Sequence, residues 1–260
     1  MQTRYPFVAG MFYPQDTHEL RDQLAFMLAE ADSGDIQPKA IIVPHAGYIY
    51  SGPIAASVYK LIEPFKDKIK TVAIFGPSHR VAFSGLALSQ SDNFATPLGE
   101  IPINKDKSAH ILALPQVHQI EQAHAQEHSL EVQLPFLQLI LDDFDIVPVV
   151  VGDADEEDIA EVMDALWTDE ETLIVVSSDL SHYHSYEIAK RMDKETSAAI
   201  ERMDTSDIGV DDACGRNPIK GLLSLAREKH LHVKTIDLRN SGDTAGPKDR
   251  VVGYGGYVIY

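Results

Sequence analysis

Histidines, one cysteine and a few carboxylates carry the chemistry this sequence can offer. His45, His79 and His182 each follow a short apolar run: Ala40-Ile41-Ile42-Val43, Thr71-Val72-Ala73-Ile74-Phe75 and Thr172-Leu173-Ile174-Val175-Val176. One histidine after such a run is ordinarily a loop residue bonded to a carbonyl. Three delivered by the same route are most simply explained by a metal. Cys214, the only cysteine, precedes Gly215 near a helix start, where the macrodipole favours thiolate. Alone it reads as an inert buried thiol; beside imidazoles it could complete a His/His/Cys set. Two imidazoles and one anionic donor leave positions on Fe(II) for a substrate and dioxygen. The same donors suit Zn or Cu, so ligand type leaves the metal open.

Other candidates surround this set. Asp179, three residues before His182, could orient a ring nitrogen or accept a strand-end hydrogen bond. His128 and Glu131, three apart at an expected helix start, could face one direction as pocket residues. Their spacing also suits a zinc peptidase, although no His-Glu-x-x-His occurs. Ser177 and Ser178 suggest a serine nucleophile, but there is no Gly-x-Ser-x-Gly elbow. Gly253-Tyr254-Gly255-Gly256 has too little chain after it to open a dinucleotide-binding helix. His110, His118, His124, His184, His230 and His232 read as surface or structural residues.

The apolar runs read as strands buried on both faces, and proline ends the first at Val43 or Pro44. Parallel strands share a direction, so their carboxyl ends and the histidines beyond them would meet on one sheet edge. Further strands are expected over Asp145 to Val151, His232 to Leu238 and the final stretch, Arg250 to Tyr260. Helices are expected over His18 to Ala31, from Pro53 through Ala55 to Phe65, Asp106 to Leu114, from Glu127 to Leu141 with a kink at Pro135, Glu156 to Trp167, Tyr186 to Met203, and Pro218 to Lys229. Gly85 to Ser89 and Gly99 to Ile103 read as a hairpin or edge strands. Ala9-Gly10-Met11-Phe12-Tyr13-Pro14 reads as an ordered arm. This alternation predicts one α/β domain over 1–260, with a mostly parallel or mixed central sheet covered by helices on both faces.

Composition narrows the partners. With 40 acidic against 22 Lys and Arg residues, the net charge of -18 disfavours nucleic acid and anionic membranes. The single cysteine, and the absence of a signal peptide or long apolar span, lead to the expectation of a cytoplasmic protein.

Seven short motifs, taken in order, resemble the Memo family, the B component of the AmmeMemoRadiSam system. They are Ala9-Gly10-Met11-Phe12-Tyr13-Pro14; Pro44-His45-Ala46-Gly47-Tyr48; Gly76-Pro77-Ser78-His79; Glu127-His128-Ser129-Leu130-Glu131 with Leu134-Pro135-Phe136; Ser177-Ser178-Asp179 with His182; Cys214-Gly215-Arg216 with Pro218-Ile219; and Ser241-Gly242-Asp243 with Val251-Val252-Gly253-Tyr254. That family's fold is similar to class III extradiol dioxygenases, nonheme-iron enzymes that open catechol rings. The resemblance implies a metal at His45, His79 and Cys214, with His182 beside it as acid/base. Cysteine stands where the dioxygenases use a carboxylate; thiolate is the softer and stronger donor, which would alter iron reactivity or favour copper. Ser181 and Tyr183 flank His182 where animal Memo proteins carry Cys and Trp, so the phosphopeptide binding described for those relatives is not carried over.

The leading expectation is therefore a nonheme-iron, dioxygenase-like oxidoreductase acting on a small molecule. His182 would move a proton, Asp179 would fix its tautomer, and Tyr48, His128 and Glu131 would line the pocket. The rival readings are a non-catalytic module that uses the pocket for a peptide or for a protein partner of the same system, and a zinc hydrolase built on His128 and Glu131.

Overall fold

The computed structural model describes residues 2–260. In chain order the elements are β1 (Thr3–Arg4), α1 (Thr17–Glu30), β2 (Ala40–Val43), α2 (Tyr48–Tyr59), β3 (Thr71–Pro77), β4 (Leu86–Leu88), β5 (Asn93–Thr96), β6 (Gly99–Pro102), α3 (Lys105–Leu112) and β7 (Val117–Gln119). Then come α4 (Glu121–Ala125), α5 (Leu134–Ile140), β8 (Asp145–Val151), α6 (Glu156–Leu166), β9 (Thr172–Ser177), β10 (His182–His184), α7 (Tyr186–Glu201), α8 (Arg216–Glu228), β11 (Val233–Asn240) and β12 (Val251–Ile259). The centre of the large sheet is four parallel strands in the order β2-β9-β3-β8. Antiparallel β12 borders β2 and antiparallel β4 borders β8, so the sheet is mixed.

Alternation along the central strands explains the layers. Ile41, Val43, Val72, Ile74 and Val175 face a core shared with α1, α2 and α5, whereas Ile42, Ala73, Phe75, Ile174 and Val176 face one shared with α6 and α8. Successive strand residues point to opposite faces, so runs apolar throughout need helices on both sides. This is the expected α/β class, with a mixed sheet covered on both faces. Among the described residues, no helix is long and apolar enough to cross a membrane.

Three local expectations are corrected. The second helix starts at Tyr48, not at Pro53. The Tyr48 N–H donates to the Phe12 carbonyl at 2.7 Å, Ser51 N–H closes the first turn on Gly47, and Pro53 is carried inside the helix. Burial of Tyr48 between Tyr13 and Phe136 outweighs the backbone bond that proline removes. The stretch from Glu127 begins as a loop and a short 3-10 turn, and the helix starts only at Leu134. Pro135 therefore sits in its first turn, where its missing N–H costs nothing, rather than at a kink. Gly99–Pro102 is an edge strand in a hairpin, as expected, but its partner is Asn93–Thr96 in a small separate sheet, whereas Leu86–Leu88 lies inside the main sheet between β8 and β7.

Register sets the site. Val43 lies opposite Ser177, and Phe75 opposite Val176, so β2, β9 and β3 end almost level. The loops carrying His45, Asp179 and His79 thus leave the same edge of the sheet.

Candidate metal centre

His45 follows β2 by two residues, and its backbone N–H donates to Asp179 Oδ1 at 2.8 Å. Its ring Nδ1 lies 2.9 Å from Ser177 Oγ. That hydroxyl donates its single proton to the Ser129 carbonyl at 2.6 Å and accepts from Gln133 Nε2 at 2.8 Å. Gln133 is oriented in turn, its amide nitrogen donating to the Pro44 carbonyl and its oxygen accepting from Tyr59. The one lone pair left on Ser177 Oγ can only accept. His45 Nδ1 must therefore carry the proton, and Nε2 presents a free lone pair. Burial, and then the neighbouring rings of His79, His128 and His182, hold the pKa of His45 well below the usual imidazole value. The ring is a neutral donor.

His79 is prepared by a different partner. Glu127 accepts from the His79 backbone N–H at 2.6 Å and faces its Nδ1 at 2.8 Å. It also accepts from the backbone N–H groups of His128 and Ser129, each at 2.9 Å. Burial pushes the Glu127 carboxyl up, but the bonds from His79 and the backbone outweigh it and bring the pKa down to about 2. An ionised carboxylate can only accept, so His79 Nδ1 carries a proton and the lone pair of the neutral ring lies at Nε2. A carboxylate behind a histidine is the usual support of a metal-binding imidazole.

His128 completes a set of three. Its ring stacks on His79 at 4.6 Å and meets His45 edge-on at 5.5 Å, and one nitrogen from each ring lies within 4.8 Å of the others. Burial, followed by repulsion from His79, lowers the His128 pKa to about 4. Cys214 Sγ stands 3.3 Å from His45 Nε2 and accepts from the Asp179 N–H at 3.3 Å. The three rings and the thiol share a cavity of about 580 Å³ that also admits His182 and His184.

The structure thus gathers His45, His79, Cys214, His182, Asp179 and His128 at one cavity, and leaves Tyr48 and Glu131 outside its lining. Tyr48 points into the core, its hydroxyl donating to the Val132 carbonyl at 2.7 Å. Glu131 is fully buried, accepting from Arg4, Tyr13 and the N–H groups of Phe7 and Val8. With its lone pairs taken it cannot act as a ligand beside His128, so the zinc-peptidase pairing fails. Among the described residues no hydrogen bond joins Asp179 to the His182 ring; its carboxylate holds the backbone of the His45 loop. The thiolate expected of Cys214 is also reversed: burial, reinforced by the Asp179 carboxylate, pushes the thiol up to about 12.

Sequence reasoning passed over Ser177 and Glu127 as supports, and over His184 as a lining residue. Glu127 carried a signal, a carboxylate immediately before a candidate histidine. Ser177 carried a weaker one, a hydroxyl at the last position of an otherwise apolar strand.

Fold and site together define an α/β protein whose level strand tips gather imidazoles and a thiol in one cleft. The chain belongs to the Memo family: the family described as "Memo-like protein" matches residues 4–258. A "MEMO1 family protein" of Aquifex aeolicus is 38% identical over the full length of both chains. One from Methanosarcina mazei is 35% identical, also over both full lengths. One from Metallosphaera sedula is 34% identical over 96% of this chain and 97% of its own. Among solved structures, the crystal structure of uncharacterized protein JW3007 from Escherichia coli K12 is similar in fold, with a TM-score of 0.53. It is 12% identical and covers 85% of this chain and 100% of its own.

Proposed function

We propose that the protein is a metal-dependent oxidoreductase, with Fe(II) as its working ion, acting on a small molecule in the histidine-lined cavity. The supporting observation is the orientation of two rings: Ser177 and Glu127 place a proton on Nδ1 of both His45 and His79, so that the neutral form of each ring turns its lone pair, at Nε2, away from these supports. These two imidazoles would hold the ion together with Cys214, whose sulfur already touches the His45 nitrogen. An ion held there would supply Lewis acidity and a redox-active centre, and Cys214 would bind it as the thiolate. His128 stacks on His79 beside the same centre, and His182, lining the cavity from β10, holds or releases a proton at a ring nitrogen. Asp179 keeps the His45 loop in place.

A second donor set, His45, His79 and His128, is favoured by the mutual nearness of their nitrogens. Proton release separates the two. The thiol is protonated at neutral pH and the depressed His128 ring is not, so binding through Cys214 expels about one proton more per ion than binding through His128. Anaerobic metal titration in weak buffer should show that release, with Cys214→Ser losing the ion and His128→Ala keeping it. A protein that stays empty when iron, copper and zinc are all supplied ends the proposal.

A further inference from the structure

A second cavity, of about 540 Å³, adjoins the metal centre, and Cys214 lines both. Its walls are the loop after β3, the residues that follow β8, and the start of α8. Hydrogen bonds pin these walls to one another. The Ser78 N–H donates to the Val151 carbonyl at 3.0 Å, the Asp153 N–H to the Phe83 carbonyl at 2.8 Å, and Asn217 Nδ2 to the Gly152 carbonyl at 3.3 Å. Ser78 Oγ turns back on the Val81 carbonyl at 2.6 Å, which closes the loop on itself. The hollow is thus formed before anything enters it, as ligand sites usually are.

Arg216 is the unusual member of the lining. Of the arginines, only Arg4, Arg216 and Arg239 are withdrawn from full exposure. Arg4 is paired with Glu131, and Arg239 with Asp237. The half-buried Arg216 side chain has no hydrogen bond, ion pair or aromatic face among the described residues. The chain holds 40 acidic residues, so carboxylates to match it are plentiful. Yet the one carboxylate in the lining, Asp153, is exposed and forms no ion pair with it. A guanidinium drawn partly out of water without a partner is a cost to the fold. Its planar fork of donors matches the paired oxygens of a carboxylate or a phosphate group.

We infer that this cavity is a second ligand site, where Arg216 takes the oxyanion group of a small organic acid and Val81, Ala82 and Phe83 meet its uncharged body. The ligand supplies the counter-charge that the fold withholds from Arg216. Binding there requires no metal, so the inference stands apart from the metal-centre reading above.

Titration of the metal-free full chain with hexanoate, hexyl phosphate and neutral hexanamide, followed by backbone amide NMR shifts, tests it. Shifts should concentrate on Ser84, Gly152 and Asn217, which line only this cavity, and spare Ala46 and Gly47, which line only the first. The acid that binds more tightly identifies the group as carboxylate or phosphate. Arg216→Gln should weaken both acids about tenfold and leave hexanamide as it was. Arg216→Lys keeps the charge without the fork and should weaken them less. Arg21→Gln, on exposed α1, should change nothing. The urea midpoint of Arg216→Gln should equal or exceed that of the wild type, because the variant removes a charge that has no partner in the fold. The site is overturned if neither acid binds, if hexanamide binds as tightly as the acids, or if the shifts fall on Ala46 and Gly47 instead. Equal weakening by Arg21→Gln, or a lowered midpoint in Arg216→Gln, overturns it too.

Discussion

Glu127 and Glu131 lie one turn apart in the same segment, both buried and both with four hydrogen-bond donors around them, yet they serve different ends. The donors to Glu131 come from the N-terminal arm: Arg4, Phe7, Val8 and Tyr13. The arm is thereby fixed against the core, and Phe12 is set edge-on against His128 at 4.9 Å. The donors to Glu127 come from His79, His128 and Ser129, at the cleft. One carboxylate neutralises a guanidinium and holds a wall; the other fixes the proton of an imidazole at the cleft. A buried carboxylate is thus assigned its role by which donors surround it, and burial alone does not distinguish the two.

The largest expected effect is on stability. Glu131→Ala leaves Arg4 charged and unpaired in the interior, and should cost about 3–5 kcal/mol in urea unfolding. A loss under about 1 kcal/mol would show that the arm is held by packing and that the contrast is false. Glu127→Gln should act mainly on the ion, weakening it about 10- to 100-fold in chelator competition while the fold survives. The same variant should alter acid unfolding. The Glu127 carboxyl is held at about 2 against an ordinary 4.5, so its stabilisation is complete above 4.5 and is lost as pH falls towards 2. His128, lowered from 6.5 to about 4, loses its contribution in the same direction but across a higher window. Glu127→Gln should therefore flatten the lower limb of the acid-unfolding curve and, by removing a charge that favours the His128 cation, move the upper limb to lower pH.

A third buried carboxylate gives the smallest effect, of opposite sign. Asp193 Oδ1 accepts from the Ser181 N–H at 3.0 Å, but its Oδ2 has no partner among the described residues. Burial, partly offset by the Ser181 bonds, raises its pKa from 3.8 to about 6. Its favourable contribution is present below 3.8 and lost as pH rises through 6, so the ionised form is a burden at neutral pH. Asp193→Asn should stabilise the fold by about 1 kcal/mol at neutral pH and by nothing in acid, as measured by urea midpoints at the two pH values. Destabilisation at neutral pH would mean that the carboxylate is paired after all.

Much of this was legible in the chain. Ile41 to Val43, Val72 to Phe75 and Leu173 to Val176 read as doubly buried strands because no polar residue interrupts them, and parallel strands must bring His45, His79 and His182 to one edge. Two signals misled. Pro53 suggests a helix start, although Tyr48 gains enough burial to begin the helix a turn earlier. The spacing of His128 and Glu131 suggested a shared face, but that segment opens as loop and 3-10 turn, so the two side chains diverge.

What the order of residues settled is the inventory: which runs must be strands and which donors follow them. These are local matters, governed by periodicity and residue type. Tautomers, pKa directions and the division of labour between Glu127 and Glu131 were decided only in three dimensions. Each depends on contacts between residues far apart in the chain, such as Ser177 with Ser129 or Arg4 with Glu131. Proton placement and desolvation follow those neighbours and not the spacing along the backbone.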